Sequence, residues 1–256
     1  MVNLYLSMDI VMLKQIKFIL PLLVAVSIVV NPVYAWQLKP FETTYTATIS
    51  NMPLDGQAIY SLTKKANIWY FKTLASIAIA QREENSSFEW DKGVIRPVSY
   101  AFRQSGLKPK WVNLTFDWKK QFVKGYVKDK KHNDQVFFDL KYNILDQLST
   151  QLALQQDIAN GKKKMSYRVI EDDLIETYQF KVVANEVIET PIGKINAVKV
   201  ERIRNENHNK RQTFIWFAKD WNYTVVQLYH LEKNGQEYII SLAQGSVNGK
   251  AIKGKE

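Results

Sequence analysis

Cysteine is absent from this 256-residue chain. Its absence excludes disulfide bonds, thiolate metal sites and a cysteine nucleophile. It also excludes a lipid anchor attached after export, because that attachment needs a cysteine at the cleavage point. Any site in this protein must therefore be built from other side chains.

Motifs of several common enzyme classes are missing as well. The chain has no G-x-S-x-G nucleophile turn, no G-x-G-x-x-G and no phosphate-binding loop. His132 and His208 lie in charged or Asn-rich turns, whereas His230 lies in a predicted strand, where a hydrogen-bonded sheet histidine is expected. The acidic triplet Glu171-Asp172-Asp173 predicts a turn, since it lacks the spaced oxygen ligands of a calcium loop. We therefore predict no catalytic residue, no cofactor and no metal site.

The beginning of the chain has the pattern of a secretory signal peptide. Lys14 and Lys17 precede an uncharged apolar run, Phe18–Val30, and a small-residue ending at Ala35. The run is shorter than the roughly 20 residues that a membrane-spanning helix needs. We predict cleavage after Ala35; the residues before Met12 look like an upstream extension, because Met12 would begin a signal of ordinary length.

Removal of residues 1–35 would leave one predicted β domain, residues 36–256, with no transmembrane segment and a periplasmic location. The net charge of the whole chain is +10, and residues 1–35 carry +1, so the remaining part carries +9. A positive balance favours anionic partners such as lipid head groups, lipopolysaccharide or acidic glycans. It is also compatible with a basic surface that has no charged partner. Export argues against nucleic acid.

Short β-rich segments separated by turn residues fill residues 36–256. The clearest predicted strands are Lys110–Trp118, Met165–Ile170, Thr177–Val183, Glu186–Thr190, Lys194–Arg204, Arg211–Ala218, Tyr223–Glu232 and Gln236–Ala243. Strict alternation in Lys110–Trp118 predicts one buried and one polar face. Phe214–Ala218 is apolar on both faces, which predicts a covered strand. These patterns predict a mainly β fold with a single curved antiparallel sheet, a half-barrel or β-roll.

One segment breaks the β pattern and predicts the only helix of this domain. Apolar residues between Asn143 and Asn160 recur at helical spacing, with Asn143 as the predicted N-cap and Asn160-Gly161 as the end signal. The stripe of leucines, which includes Leu148 and Leu152, predicts packing of this helix onto the sheet. A lid over an apolar cavity is the functional alternative.

Aromatic residues suggest where such a cavity would lie. Each ring buries roughly 150–250 Å². An ordinary β core explains them, and so does a groove that accepts an acyl chain or a glycan. The candidate ligand-lining residues are Trp111, Trp118, Leu148, Leu152, Trp216 and Phe217.

Several short motifs resemble the exported bacterial family known as domain of unknown function 3108. They are Asp146-x-Leu148-Ser149, Glu186-x-Ile188-x-Thr190-Pro191-x-Gly193, Ala197-Val198-Lys199-Val200, Ile215-Trp216-Phe217-Ala218 with Asp220, Ile95-x-Pro97-x-x-Tyr100 and Phe116-Asp117-Trp118. The resemblance covers about Phe41 to Ser241. It implies a periplasmic, mostly antiparallel curved sheet and supplies no activity or catalytic residues.

Two functions fit these observations. The first is a non-enzymatic protein that binds an amphipathic ligand of the cell envelope (lipid, lipopolysaccharide or glycan) or an envelope protein. The second is a hydrolase that acts on cell-wall or lipid material. The second would require a carboxylate pair, or a histidine within hydrogen-bond reach of Ser or Asp in an open cleft. His230 and Asp117 are the first residues to inspect for it.

Overall fold

The structure is a computed structural model. It describes residues 36–50, 55–77, 79–106, 108–131, 133–140, 143–204 and 211–255. The predicted signal peptide lies outside the described residues, as do His132 and His208.

The described residues form one sheet of sixteen strands, and its first half is a meander of eight. These strands are β1 (Phe41–Ile49), β2 (Asp55–Lys65), β3 (Ile68–Ile77), β4 (Ala80–Asp91), β5 (Val94–Gly106), β6 (Lys110–Asp117), β7 (Phe122–Lys128) and β8 (Asn133–Asp139). In β6 the residues Val112, Leu114 and Phe116 are buried between less buried neighbours. The alternation predicted for this strand is therefore confirmed.

The second half begins with a short strand and the helix. Its elements are β9 (Ile144–Leu145), α1 (Gln147–Ala159), β10 (Lys164–Glu171), β11 (Leu174–Thr190), β12 (Gly193–Ile203), β13 (Gln212–Ala218), a single 3₁₀ turn (Lys219–Trp221), β14 (Thr224–Leu231), β15 (Glu237–Val247) and β16 (Lys250–Ala251). Strands β1 and β15 pair with each other, which joins the two halves into one sheet that runs from β8 to β9. Neighbouring strands are antiparallel except β9 and β10, which are parallel. The predicted mainly β fold, a single curved sheet with one helix packed on it, is confirmed.

Strand β11 corrects one prediction. The sequence predicts two strands, Thr177–Val183 and Glu186–Thr190, but the structure has one continuous strand. The register against β12 shifts between Val182 and Ala184, so a β-bulge absorbs one extra residue there. No glycine or proline lies between the two predicted strands, and the polar residues alone do not end the pairing.

The beginning of α1 corrects another prediction. Asn143 is not the N-cap, because Ile144 and Leu145 form β9 against β10 before the helix starts. Asp146 caps the helix instead: its Oδ1 accepts from the backbone N of Ser149 at 2.8 Å, and its own N donates to Ser149 Oγ at 3.0 Å. This reciprocal pair satisfies two backbone donors. The predicted C-cap, Asn160, is confirmed.

The helix contributes to both buried apolar clusters of the described residues. Leu148 and Leu152 belong to the larger cluster, and Leu154 and Ile158 to the smaller one. The leucine stripe therefore packs onto the sheet, as predicted. Burial of four large side chains contributes roughly 1.5–3 kcal/mol each to stability.

Hydrogen bonds also fasten α1 to strands of both halves. The helix lies against β4, β5 and β10. Gln156 Nε2 donates to the carbonyl of Gly93, in the turn between β4 and β5, at 2.8 Å, and Tyr167 of β10 donates to Asp157 Oδ2 at 2.8 Å. Because β4–β5 and β10 lie far apart in the order of the sheet, the helix connects its two arms.

Candidate functional site

A cavity of about 250 Å³ opens on the core side of the sheet, across β1–β5 and β15. We call it the interior cavity. The surface of this cavity is mostly apolar and is formed by residues such as Ala47, Ala58, Ala75, Ile77, Tyr238 and Ile240, while polar side chains that include Gln57, Gln81, Arg82 and Gln104 also line it. Ala58 is fully buried and also belongs to the larger core cluster. The interior cavity is therefore continuous with the packed core.

Small side chains at paired positions create this space. Ala58 of β2 lies opposite Ala75 of β3, Ala75 lies opposite Arg82 of β4, and Arg82 lies opposite Gln104 of β5. Directly paired residues share a face of the sheet, so this row of side chains points into the interior. Two of the four are alanines, which are too short to fill the width that larger core side chains occupy elsewhere.

Arg82 is the charged side chain of the interior cavity. Its side chain is 48% exposed, whereas that of its partner Glu84 is 7% exposed. Arg82 Nε and Nη2 lie 2.8 and 2.6 Å from Glu84 Oε1, and Tyr100 donates to Glu84 Oε2 at 2.8 Å. The guanidinium also lies 4.8 Å from the centre of the Phe102 ring. Arg82 is thus held in one position with its outer N–H groups directed away from Glu84.

A layer of buried tyrosines lies beside this charge pair. Tyr60 and Thr73 occupy paired positions next to Glu84. Burial raises the pKa of the Tyr60 hydroxyl to about 12, and the charge of Glu84 adds to that effect while Arg82 opposes it. Tyr45 donates to the carbonyl of Val225 at 2.9 Å. Both hydroxyls therefore stay protonated at neutral pH, and that of Tyr45 acts as a hydrogen-bond donor.

Asp146 connects the helix to the same region of the sheet. Its Oδ2 accepts from Ser86 Oγ of β4 at 2.8 Å. Burial raises the pKa of this carboxyl from 3.8 to about 6, although the hydrogen bonds from Ser149 and Ser86 lower it and the nearby Glu84 raises it. The carboxyl is fully buried and serves two elements at once, as N-cap of α1 and as acceptor for β4.

The two buried carboxyls are committed to structural partners. Glu84 uses one oxygen for Arg82 and the other for Tyr100, and Asp146 uses one for Ser149 and the other for Ser86. Among the described residues, no group of three His, Asp or Glu side chains could hold a metal ion. Both oxygens of each carboxyl are therefore engaged in hydrogen bonds that hold neighbouring elements together.

The residues named for a hydrolase lie elsewhere. Asp117 Oδ1 accepts from the backbone N of Lys120 at 2.9 Å and caps the turn after β6. His230 is a sheet histidine in β14, as expected, with Nδ1 2.8 Å from Thr213 Oγ1 and Nε2 3.2 Å from Glu232. Thr213 is only 8% exposed. The arrangement has the order hydroxyl, imidazole, carboxylate, but the hydroxyl is buried within a strand pair.

The six candidate ligand-lining residues do not form one site. Leu148, Leu152 and Trp216 lie in the larger core cluster with Trp118 packed against it, and Phe217 lies in the smaller one. Trp111 is 37% exposed on β6. None of the six is among the residues that line the interior cavity. A ligand contact at these positions stays a prediction.

Sequence reasoning missed the alanine-lined row and the Arg82–Glu84–Tyr100 network. A partial signal is present in β4, where Glu84, Ser86 and Phe88 alternate with Asn85 and Ser87. The inward residues include a carboxylate and a hydroxyl, so the alternation does not separate a polar face from an apolar one. Only the pairing of strands shows which face is interior.

The fold and the interior cavity define a class of protein, a barrel-like β-sheet with an apolar space on its core side. The chain belongs to the family described as "Protein of unknown function (DUF3108)", whose sequence model matches residues 44–238. The family resemblance inferred from the motifs is therefore confirmed.

One solved structure supports the fold. The chain is similar to a beta-barrel-like protein of domain of unknown function DUF1849 from Brucella abortus, with 11% identity, a TM-score of 0.54, and coverage of 83% of this chain and 99% of that one. A "putative lipoprotein" from Parabacteroides distasonis matches with 11% identity over 82% of this chain and 96% of that one, at a TM-score of 0.32. No curated protein matches the sequence. Within the described residues, no helix combines the length and hydropathy needed to cross a bilayer.

Proposed function

We propose that this protein is an exported periplasmic binder of an amphipathic envelope ligand, with an acyl chain in the interior cavity and an anionic head group at Arg82. The observation that carries the proposal is the interior cavity itself. It combines an apolar lining with one arginine at its edge. Ligand sites typically pair such a lining with a few polar groups that fix orientation.

The volume of the interior cavity favours a single short chain. At about 250 Å³ it is smaller than the roughly 300–1,000 Å³ of sites for drug-sized ligands. Each methylene group transferred from water contributes about 0.8 kcal/mol. Affinity should therefore increase with chain length until the interior cavity is full, and then level off.

Arg82 suits the head group. Its hydrogen bonds to Glu84 use Nε and Nη2, so its outer N–H groups can donate to a carboxylate or phosphate. The other polar residues of the lining include Gln81 and Gln104, which are uncharged. An anion at this edge would therefore meet Arg82 without a competing carboxylate in the lining.

Export supports an envelope ligand over a cytoplasmic one. The signal-peptide pattern before Trp36 predicts secretion, and a net charge of +9 in residues 36–256 favours anionic envelope components. Trp36, the residue that would follow the predicted cleavage site, is held to the domain by a hydrogen bond from its Nε1 to the carbonyl of Asn222 at 3.3 Å. Mass spectrometry of the exported protein should find Trp36 as its first residue; a retained segment before it would contradict the export prediction.

Titration calorimetry with a series of fatty acids, from hexanoate to dodecanoate below their micellar concentrations, tests the proposal. Affinity should increase roughly tenfold for each two methylenes and then reach a plateau. The Ala75→Leu variant should lose at least about tenfold in affinity, because the larger side chain fills the interior cavity. Ala101→Leu is the matched control, since Ala101 lies on the opposite face of β5 from the buried Tyr100.

Two results would contradict the acyl-chain proposal. One is an affinity that does not depend on chain length, and the other is an equal effect of Ala75→Leu and Ala101→Leu. Absence of any fatty-acid binding would instead favour an envelope protein as the partner. Copurification from the periplasm would then be the next measurement.

A test of the role of Arg82 requires a variant in which the buried carboxylate of Glu84 is not left without its cation. Arg82→Gln alone would leave the carboxylate of Glu84 without its cation, so we choose Arg82→Gln together with Glu84→Gln. This double variant should weaken decanoate roughly tenfold and leave decanol unchanged. Equal losses for both ligands would show that the change acts on the interior cavity and not on the head group.

One observation favours the hydrolase alternative, the Thr213–His230–Glu232 chain of hydrogen bonds. A hydroxyl activated by histidine is the arrangement that acyl hydrolysis uses. Hydrolysis of a p-nitrophenyl ester by the wild type, lost in Thr213→Val and His230→Gln, would support it. Equal rates for all three proteins would count against it, as the burial of Thr213 leads us to expect.

A further inference from the structure

A second cavity, of about 470 Å³, lies where the β10–β11 hairpin meets the end of β12. We call it the polar cavity. Its charged lining residues are Glu171, Glu176, Arg202, Arg204 and Arg211. Three arginines against two glutamates give a formal charge of +1. The polar cavity shares no residue with the interior cavity, so it requires its own explanation.

Arg202 is held rigidly at this site. Its guanidinium carbon lies 3.5 Å from the centre of the Tyr178 ring, and its Nη2 lies 3.8 Å from Glu171 Oε2. The Tyr178 hydroxyl in turn donates to Glu171. Stacking on an aromatic ring fixes the plane of a guanidinium without using its N–H groups. Arg202 can therefore donate hydrogen bonds with little loss of side-chain entropy.

Arg204 has a buried donor without a partner. Its Nη1 is inaccessible to solvent and makes no hydrogen bond with any residue that the structure describes. Burial, together with the positive charges of Arg202 and Arg211, lowers the pKa of this guanidinium to about 10. A buried charged donor that lacks an acceptor is costly. An acceptor carrying negative charge would remove that cost and the repulsion among the three arginines together.

We propose that the polar cavity binds a phosphoryl group through Arg202, Arg204 and Arg211. The planar fork of arginine matches the geometry of phosphate oxygens and forms paired, charge-assisted hydrogen bonds with them. Glu171 keeps Arg202 in place, and Glu176 limits the positive charge of the site. This inference does not depend on an acyl ligand in the interior cavity.

Titration calorimetry with inorganic phosphate tests this site directly. Arg204→Gln should weaken phosphate binding roughly tenfold or more, because it removes a charge-assisted donor. Arg103→Gln removes the same charge from an exposed position on β5 and should leave the affinity unchanged. Equal affinities of these two variants for phosphate would overturn the proposal, and so would the absence of phosphate binding by the wild type.

A second variant keeps the test decisive if Arg204→Gln does not fold. Glu176 is exposed and lines the polar cavity, so Glu176→Gln removes a competing negative charge without disturbing the core. It should bind phosphate several-fold more tightly than the wild type. The matched control, Glu42→Gln on β1, should not. An unchanged or lower affinity of Glu176→Gln would contradict the proposal.

The phosphoryl group can come from a soluble phosphate or from a lipid head group, and two arms of one experiment separate these sources. Cosedimentation is measured with vesicles that contain phosphatidic acid, in the presence and absence of inorganic phosphate. Vesicle binding that is lost in Arg204→Gln and displaced by phosphate supports a head group. Phosphate binding without vesicle binding supports a soluble ligand, and binding of neither by the wild type overturns the proposal.

Discussion

The two ends of β4 and β5 differ in what covers them, although they belong to the same strands. At one end Ser86 contacts the beginning of α1, and Trp90 donates to Gln156 of the helix at 3.2 Å. At the other end Arg82 and Gln104 line the interior cavity. The helix fills the first end, and short side chains leave the second end hollow. A single sheet thus has a packed core at one end and an apolar cavity at the other, and one helix covers only the packed end.

The helix holds the sheet around the interior cavity although it does not line that cavity. The hydrogen bonds of α1 to the β4–β5 turn and to β10 hold the two arms of the sheet in position. Gln155 adds a third connection, from its Nε2 to the carbonyl of Asn222 at 2.7 Å. Because these contacts hold the curvature of the sheet at the packed end, the interior cavity at the other end stays open although no side chain crosses it.

The largest effect is expected from removal of a large side chain at the packed end. Leu152 is fully buried in the larger core cluster. Leu152→Ala should lower the free energy of unfolding by about 2–5 kcal/mol, because it loses burial and leaves a void. Urea denaturation measures the change. Leu174→Ala, at an exposed position of β11, is the control and should change stability by less than about 0.5 kcal/mol. Similar losses in both variants would mean that the helix is not packed as described.

The free energy of unfolding should depend on pH through Asp146, whose carboxyl joins α1 to β4. Its folded pKa, about 6, is raised above the ordinary value of 3.8, so the folded state binds this proton more tightly than the unfolded state. The resulting stabilisation is fully present below about pH 4 and is lost as pH rises through about 6. The difference between the two pKa values corresponds to roughly 3 kcal/mol as an upper bound.

Asp146→Asn tests this pH dependence, because asparagine is also a good N-cap and cannot ionise. Relative to the wild type, the variant should gain stability between pH 4 and pH 8, by up to roughly 3 kcal/mol. Guanidinium denaturation at both pH values gives the difference. The Asp134→Asn change at an exposed position of β8 serves as the control. A stability difference that is the same at pH 4 and pH 8 would rule out a raised pKa.

Added volume should distinguish the packed core from the interior cavity most clearly. Ala197 is fully buried in the packed core, whereas Ala75 lines the interior cavity. Ala197→Leu should destabilise the protein by about 1–3 kcal/mol through overpacking. Ala75→Leu should change the free energy of unfolding by less than about 1 kcal/mol, since its new atoms enter existing space. Thermal denaturation of the two variants compares them, and equal destabilisation would show that the interior cavity is not open to side chains.

The sequence predicted the architecture because each element has a local signal. Alternation predicted strand β6, helical spacing predicted α1, and turn residues predicted the late meander. The errors arose where a local signal was ambiguous. Asn143 and Asp146 are both acceptable N-caps, and only the pairing of Ile144 and Leu145 with β10 decides between them. Likewise, a bulge allowed β11 to continue where the sequence suggested two strands.

The sites could not be predicted in the same way, because they depend on residues far apart in the chain. Ala58 and Ala75 become neighbours only through the β2–β3 register, and Glu84 meets Tyr100 only through the β4–β5 pair. Large aromatic side chains fill the core, whereas a cavity forms where side chains are small. The aromatic candidates Trp111, Trp118, Trp216 and Phe217 are not among the residues that line the interior cavity.

The smallest effect is expected at Trp111. This residue is one of the six predicted ligand-lining residues but does not line the interior cavity, so its replacement tests one proposed site against the other. Trp111 is partly exposed on β6, with Lys128 Nζ 6.0 Å from its ring centre, and it does not line the interior cavity. Trp111→Ala should lower the free energy of unfolding by no more than about 1 kcal/mol and leave decanoate affinity unchanged. Titration calorimetry with decanoate compares the affinity of Trp111→Ala with that of Ala75→Leu. A loss of affinity in Trp111→Ala would instead support the sequence-based prediction that Trp111 lines the ligand site.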